Sequence, residues 1–523
     1  MSIYSFLWGF MLTRWRCNLR VRIAIAGAGV SGFATLGYLV EAFKAMPSAG
    51  VLIYLLQPPR EIHTENLSAP QRDRLIHLKN IGINLSQLFG GGHVYHPVQP
   101  SLFTFNGNSA ARGFNFVAQR YDTSDYFEWV QANRRLLATL YPDFAPEKGQ
   151  QRHRDHTLND IQGTTPRGVY GLYLHAQFLA LKAHLPEHIA LQIIPEALQT
   201  FTQIEQKVTV KTNTQKLSVD YLVQATGHRF AALRSEWVGH VFNAYPCDRY
   251  GYNLPPQVTV VGAGPAGIEV ALHALHNLNV AQVTLLSRRA QSRLPQVEPT
   301  ESYECQWFTR EKMRLQPTAK NAKALLQQEL KVCYQACNLP YPGWDALLKI
   351  EDYSTFLENY LQTTNQSPNH PFAHLVRPVM SFYDQVKDLL PAVEQIGVLQ
   401  LINQVKPLFA TQSRPCAELM LAALQAKRLR LMAGEFLPEQ VTPTILHLDG
   451  TQAHPDGIIL ATGFVPSIPP FYPQSSDTRC YSVMGTSLSS VHSRAANVAS
   501  VITRLVRRQT LHVSFVISPD LQM

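Results

Sequence analysis

An α/β chain with two Rossmann-like dinucleotide-binding domains and an α-helical insert is predicted by three observations. The pattern G-x-G-x-x-G occurs twice, as GAGVSG at residues 27–32 and GAGPAG at residues 262–267. Each copy follows a short apolar run and opens a helical pattern, which is the context that gives the motif its meaning. Each is answered further along by a strand-like string ending in Ala-Thr-Gly, at residues 225–227 and 461–463.

The first unit starts with the apolar run 21–26 (VRIAIA), passes through the glycine turn and continues as FATLGYLVEAF. A second apolar run follows at residues 51–56, giving strand, turn, helix and strand. Gly27, Gly29 and Gly32 permit a tight turn and close approach of the backbone to a pyrophosphate, which the amides and dipole of a helix N-terminus favour. The acid expected at the end of the second strand is missing. Gln57 stands there, able to hydrogen-bond a ribose hydroxyl more weakly than a carboxylate would. A long polar segment, 58–88, then interrupts the pattern before GGGHVY at 90–95.

Short alternating stretches between 191 and 223 read as a meander ending in DYLVQATG, where Thr226 and Gly227 let backbone come close to a bound dinucleotide. The pattern restarts with QVTVV at 257–261, the glycines Gly262, Gly264 and Gly267, a helix and the strand QVTLL. That strand runs into LSRRAQSRLP at 286–295. In dinucleotide folds this position meets the adenosine ribose, where a carboxylate accepts from a 2′-hydroxyl and arginine accommodates a 2′-phosphate. Ser287, Arg288 and Arg289 therefore predict NADPH. Two dinucleotide sites in one chain predict FAD beside it, since hydride passes from one to the other.

From 301 to 430 the pattern is mostly helical, with KNAKALLQQELKVCYQA and RPCAELMLAALQAKRL the clearest segments. The strand-rich piece 444–464 carries Thr462 and Gly463, and a helix is expected at 493–508. The expected domains are an N-terminal extension (1–20), a discontinuous FAD-binding domain (21–250 and 435–510), an NADPH-binding core (251–300) and a helical insert or substrate region (301–434).

The net charge of +9 comes from scattered residues, with no run of five Lys or Arg, so a nucleic-acid partner is not expected. Seven scattered cysteines without a C-x-x-C argue against a disulfide scaffold or a dithiol redox centre and point to a cytoplasmic chain. Cys333 and Cys337, at i and i+4 without a nearby ligand pair, read as core thiols, and no metal site is expected. The apolar part of residues 1–20 is too short to span a bilayer and lacks a cleavage signal, so it reads as an extension, with a weak interfacial anchor as the alternative.

The segments around these fingerprints resemble a bacterial FAD/NAD(P)-binding flavoprotein family that includes aspartate N-monooxygenases (nitrosuccinate synthases) and urate-hydroxylase-type enzymes. The resemblance is carried by GGGHVY (90–95), FTFN (103–106), DYFEW (125–129), PRGVYGLYL (166–174) and SRRAQSRLP, with Ala290 where the family has glycine. The string DGIILATGF (456–464) also resembles the D-x-x-x-L-A-T-G-Y signature of amino-acid N-hydroxylating monooxygenases, with Phe464 replacing the tyrosine. The resemblance implies an FAD-dependent, NADPH-consuming monooxygenase that passes one oxygen atom of O₂ to a small molecule, at an amine or amino-acid nitrogen. Arg167 and Arg112 are candidate carboxylate anchors, and His93 and Tyr95 are candidates to face the flavin. The block 301–370, with aromatic stretches such as WFT and YPGW, serves in this reading as a lid or as the surface of a homo-oligomer. Three other readings stay open: a purine or aromatic hydroxylase, an NADPH oxidase or reductase passing electrons to a partner, and a non-catalytic nucleotide-binding protein.

Overall fold

The computed structural model describes residues 20–106, 113–142, 164–227, 233–250, 254–295, 297, 299–409, 412–463, 479–482 and 488–517. The N-terminal extension before Arg20 lies outside them. The chain divides into two compact units: Met1–Ser101, Phe105–Ala231 and Phe464–Met523 form the first, and Leu102–Thr104 with Ala232–Gly463 form the second.

In chain order the first unit contributes β1 (Arg20–Ala26), α1 (Val30–Lys44), β2 (Gly50–Leu56) and α2 (Ala69–Asn80). Next come β3 (Thr104–Asn106), α3 (Thr123–Ala132), α4 (Arg134–Leu140), β4 (Thr164–Pro166) and α5 (Arg167–Ala183). Strands β5 (Ile189–Ile194), β6 (Thr200–Ile204), β7 (Lys207–Lys211), β8 (Lys216–Val219) and β9 (Tyr221–Gln224) follow. The second unit holds β10 (Val241–Asn243), β11 (Gln257–Val261), α6 (Pro265–Asn277) and β12 (Gln282–Ser287). Its helical block is α7 (Arg310–Leu315), α8 (Ala319–Ala336), α9 (Trp344–Leu348), α10 (Tyr353–Gln366), α11 (Pro371–Val386), α12 (Ala392–Phe409) and α13 (Arg414–Gln425). Strands β13 (Leu429–Leu437), β14 (Thr444–His447), β15 (Gln452–Ala453) and β16 (Ile458–Leu460) complete it. The chain returns to the first unit with β17 (Cys480–Ser482) and α14 (Leu488–Ile517).

The first sheet is ordered β17-β9-β1-β2-β5 with every pairing parallel. Its central strands are apolar on both faces, as a sheet covered on both sides requires. Ile23, Ile25, Ile53 and Leu55 face one cluster with α1, α5 and α14, while Ala24, Ala26, Leu56 and Leu222 face another beneath β6–β8. The second sheet is ordered β10-β16-β11-β12-β13-β14-β15, parallel as far as β13 and antiparallel beyond it.

Two expectations need correction. The stretch 191–223 is not one meander: β5 and β9 join the parallel sheet beside β2 and β1, and only β6–β8 form an antiparallel ribbon. Residues 435–463 lie in the second unit and not with the first glycine turn, because β16 pairs with β11 and β14 with β13. The stretch before 250 shifts as well, since β10 pairs with β16. Both Rossmann-type frameworks are present as expected.

In the helical block, much of the aromatic content serves its own packing. Phe308 stacks on Phe382 with centroids 3.6 Å apart, and Trp344 is buried. The backbone amides of Trp307 and Phe308 both donate to the buried Glu329 carboxylate, at 2.6 and 2.8 Å. All described cysteines are free, and no group of His, Cys, Asp or Glu among the described residues is arranged to hold a metal. No described helix is long and apolar enough to cross a membrane.

Candidate nucleotide sites

The two glycine turns are built on one plan. In the first, Gly29 caps α1 with extended backbone (φ −72°, ψ −166°); in the second, Gly264 caps α6 the same way (φ −77°, ψ 178°). Gly27 and Gly262 adopt φ of +100° and +109°, which only glycine takes without strain. A Cβ on Gly27 would lie 2.5 Å from the Ala225 carbonyl oxygen, and one on Gly262 would lie 2.7 Å from that of Ala461. Gly32 and Gly267 press against the carbonyls of Gly27 and Gly262, so helix and strand meet without room for a side chain.

The Ala-Thr-Gly strings close onto these turns through matching bonds. Ala225 N donates to Ala26 O at 2.8 Å, and Ala461 N donates to Val261 O at 2.8 Å. Thr226 and Thr462 are exposed, and Gly227 and Gly463 adopt φ of +77° and +99°. Neither helix carries an acid in its first turn, and each leaves its initial amides without intrahelical partners. A pyrophosphate fits such a face, in charge and in close approach.

Gln57 takes a definite place in the first turn. Its side-chain oxygen accepts from Ala28 N at 2.9 Å, which leaves its NH₂ as the group free to meet a ribose. The GGGHVY loop lies against the same turn: Gly90 N donates to Ala28 O at 2.8 Å, and Gly92 Cα stands 3.7 Å from where a Cβ on Gly29 would be. Gly90 and Gly92 have φ of +82° and +55°.

Among the substrate candidates, Tyr95 and Arg167 come together. Burial raises the Tyr95 pKa, and the nearby Arg167 guanidinium opposes that rise. Tyr95 also meets Tyr170 edge-to-face at 5.2 Å. Arg167 is the first residue of α5. His93 is exposed, and its carbonyl accepts from Gln99 Nε2 at 2.6 Å. The next histidine is the buried one: His96 accepts from Val98 N at Nδ1 (3.1 Å), and its Nε2 donates to Leu85 O (3.0 Å). Burial, with the Arg60 cation nearby, holds its pKa well below the usual value. Arg112 lies outside the described residues.

At the end of β12, Arg288 is exposed and makes no hydrogen bond or ion pair among the described residues. Arg289 is already engaged: its Nη1 donates to the Gln404 carbonyl at 2.8 Å, near the C-terminus of α12. Ser287 Oγ donates to Gln291 O at 3.3 Å. Ala290 sits at φ +51°, which accounts for the glycine found at this position in the resembling family.

Two basic residues escaped the sequence reading. Arg293 lies four positions beyond Arg289 in the quoted stretch, and its Nη2 is 3.7 Å from the place a Cβ on Gly264 would occupy. Lys406 comes from α12 and carries no sequence signal of its own. Burial lowers the pKa of both, and for Lys406 the Arg293 cation lowers it further.

Residues 24–229 match a family model described as FAD-NAD(P)-binding, and residues 177–323 match the pyridine nucleotide-disulphide oxidoreductase model. No curated protein matches the chain. Among solved structures, ornithine hydroxylase from Pseudomonas aeruginosa is 13% identical, covering 92% of this chain and 98% of that one, with a TM-score of 0.41. L-lysine 6-monooxygenase from Pseudomonas syringae is 12% identical over 92% and 99%, with a TM-score of 0.40. Ornithine N-hydroxylase from Kutzneria sp. 744 is 11% identical over 92% and 99%, with a TM-score of 0.41. The matched models and the paired turns agree on a flavin-dependent oxidoreductase that binds FAD and NAD(P)H.

Proposed function

We propose that the chain is an FAD-dependent, NADPH-consuming monooxygenase that hydroxylates a small molecule at an amine or amino-acid nitrogen. The observation that carries this reading is the pairing of two equivalent dinucleotide turns in a chain with no C-x-x-C. FAD, held on the first glycine turn, would supply hydride acceptance from NADPH and onward electron transfer. Without a neighbouring dithiol to receive the electrons, O₂ is the acceptor that needs no further protein group. The D-x-x-x-L-A-T-G-like string at 456–464 favours nitrogen as the atom oxygenated.

In this assignment the first unit holds FAD, with Gly27, Gly29 and Gly32 against the pyrophosphate, the Gln57 NH₂ toward the ribose, and Thr226 and Gly227 along the turn. The second unit holds NADPH on Gly262, Gly264 and Gly267, with Thr462 and Gly463 beside them and Ser287 and Arg288 at the 2′-phosphate. Arg289 assists from the loop after β12, its guanidinium anchored on the Gln404 carbonyl of α12. Arg167, beside Tyr95, offers a guanidinium to a substrate carboxylate.

The test is aerobic turnover of NADPH and NADH by the FAD-loaded protein, with peroxide counted and amines, amino acids including aspartate, and urate added in turn. The expected result is faster oxidation of NADPH, less peroxide with an amine substrate, and a product heavier by one oxygen at nitrogen. Oxygenation of urate alone would move the reaction to carbon. Recovery of every electron as peroxide, whatever is added, would replace the monooxygenase with an oxidase.

A further inference from the structure

We propose that Cys333 and Cys337 are a modification site: hydrogen peroxide converts this thiol pair at the end of α8 into a reversible disulfide. The site lies in the helical block and uses no residue of the nucleotide turns.

The two cysteines stand one turn apart on α8, at i and i+4, with Glu329 one turn before them, so all three share one face. Their surroundings differ. Cys333 is fully buried, as a core thiol should be, whereas Cys337 is partly exposed and caps the helix. Beyond Cys337 the chain leaves the helix at once. Asn338 takes φ +54°, its amide donates to Gln335 O at 3.0 Å, and Leu339 N donates to Tyr334 O at 2.9 Å. Between the two cysteines themselves, Cys337 N donates to Cys333 O at 3.0 Å. A disulfide needs Cβ atoms about 3.5–4.5 Å apart, and i, i+4 partners stand about 5–6 Å apart. Tightening the last turn closes that gap, and Cys337 is able to follow because no helix continues past it. A bond formed under such strain is readily reduced again.

A third thiol, Cys305, belongs to a segment pinned to the same face. Glu329 accepts from Tyr303 Oη and from the Trp307 and Phe308 amides, the last two at 2.6 and 2.8 Å, so Cys305 lies between these anchors. Burial, and after it the Glu329 charge, push the Cys305 thiol up to about 12, which keeps it protonated and slow to react. Within the pair, the hydrogen bond between the thiols acts in the other direction. It lowers the pKa of Cys337, the acceptor, and raises that of Cys333, the donor. Cys337 is therefore the attacking sulfur and Cys333 the resolving one.

The Cys337 thiolate attacks one peroxide oxygen, the O–O bond breaks, and a sulfenic acid forms as hydroxide leaves. That hydroxide takes up the proton Cys337 had released. The Cys333 sulfur then attacks the Cys337 sulfur, the S–O bond breaks, and the departing hydroxyl leaves as water with the Cys333 proton. Two electrons pass from the sulfurs to the peroxide, giving one disulfide and two waters.

The experiment treats the full-length, FAD-loaded protein with hydrogen peroxide, alkylates the remaining thiols in denaturant and weighs the tryptic peptides. Cleavage after Lys331 and Lys349 keeps both cysteines in residues 332–349, while Cys305 falls in residues 294–310. Peptide 332–349 should be recovered unalkylated and lighter by two hydrogen atoms. A dithiol reductant should restore it, with Cys305 alkylated throughout. In Cys333→Ser no disulfide forms, and dimedone traps the sulfenic acid on Cys337; Cys333→Ala gives the same result if a buried hydroxyl impairs folding. In Cys337→Ser, Cys333 oxidises at least roughly 10-fold more slowly than the wild-type pair. Cys305→Ser leaves the rate of the pair within about 2-fold of wild type. Wild-type protein in which both thiols of 332–349 stay open to alkylation, under peroxide that oxidises free cysteine, overturns the site. A bond joining 294–310 to 332–349 overturns the pairing and passes it to Cys305. Peroxide is added as a reagent and no turnover is needed, so failure here is distinct from failure of the monooxygenase reading.

Discussion

At the scale of single residues, Gln57 shows how an amide can stand where a carboxylate is expected. Its oxygen accepts from Ala28 N at 2.9 Å, so the turn is stabilised, and only an NH₂ remains to face a ribose hydroxyl. A carboxylate would accept both bonds and carry charge into them. Charged hydrogen bonds contribute about 1 kcal/mol more than neutral ones. Gln57→Glu should therefore tighten FAD roughly 5-fold. Gln57→Leu leaves the Ala28 amide without this acceptor and should release FAD readily. Flavin retained after gel filtration, read from its absorbance, separates the two; loss of FAD in Gln57→Glu would remove Gln57 from the ribose position. The glutamine itself was legible from its place after the second strand, but the bond to Ala28 was not, because it depends on how the turn folds back. Arg293 is the sharper case. It lay in plain view in LSRRAQSRLP, yet only the left-handed backbone at Ala290 and the clamp from Gln412 bring it to Gly264.

At the scale of elements, α2 explains what the segment 58–88 does. Ser68 and Gln71 cap it, and residues Gln71, Arg74, Leu75 and Leu78 form its buried stripe. That spacing is helical, but half of the stripe is polar, so hydrophobic periodicity passes over it. Arg74 reaches from this stripe to Leu140 O (2.8 Å), Pro97 O (3.0 Å), Gln99 O (2.8 Å) and Ser101 Oγ (2.8 Å), with its guanidinium 3.9 Å from the Tyr141 ring centre. Gln71 Nε2 adds a bond to Val98 O at 2.6 Å. The insert is a latch on the loop 90–101, which lies against the first glycine turn. Arg74→Met should cost about 3 kcal/mol or more, since buried carbonyls lose their donor. FAD should dissociate faster, while NADP⁺ affinity in the second unit stays within 2-fold, roughly an additive-site error. Equal loss at both nucleotides, in this variant and in the milder Arg74→Lys, would show a general collapse and not a latch. Strand partners were the other illegible feature. The runs at β5, β9 and β16 read correctly as extended, but their neighbours are set by pairings far along the chain that no local pattern encodes.

At the scale of the whole molecule, the repeat was the most legible feature, because its glycine turn with helix start, and far along the chain its Ala-Thr-Gly closure, are each written as a short unbroken run. What joins the units' behaviour in solution is a liability they share. In the first unit His96 is buried with its pKa well below the usual value, and burial brings His175 down to about 4. In the second, burial brings His273 and His370 each to about 4. In the unfolded chain each of these titrates near 6.5. Below that pH the unfolded state binds protons that the folded state refuses, so stability falls as pH drops from about 6.5 and levels off near 4. The loss for each buried histidine is about 2 kcal/mol at pH 5. Glu41, whose pKa is raised by burial, acts in the opposite direction, but only over the carboxylate range. The melting temperature should therefore drop steeply between pH 7.5 and 5 at constant salt. His370 offers the control, because its Nδ1 accepts from Phe372 N at 3.2 Å as the N-cap of α11. His370→Asn keeps a capping acceptor and loses the titration. Its stability difference between pH 7.5 and 5 should be smaller than the wild type's by about 2 kcal/mol. A variant that follows the wild-type slope would mean that His370 takes up its proton without unfolding, and that acid acts on these two units through other groups.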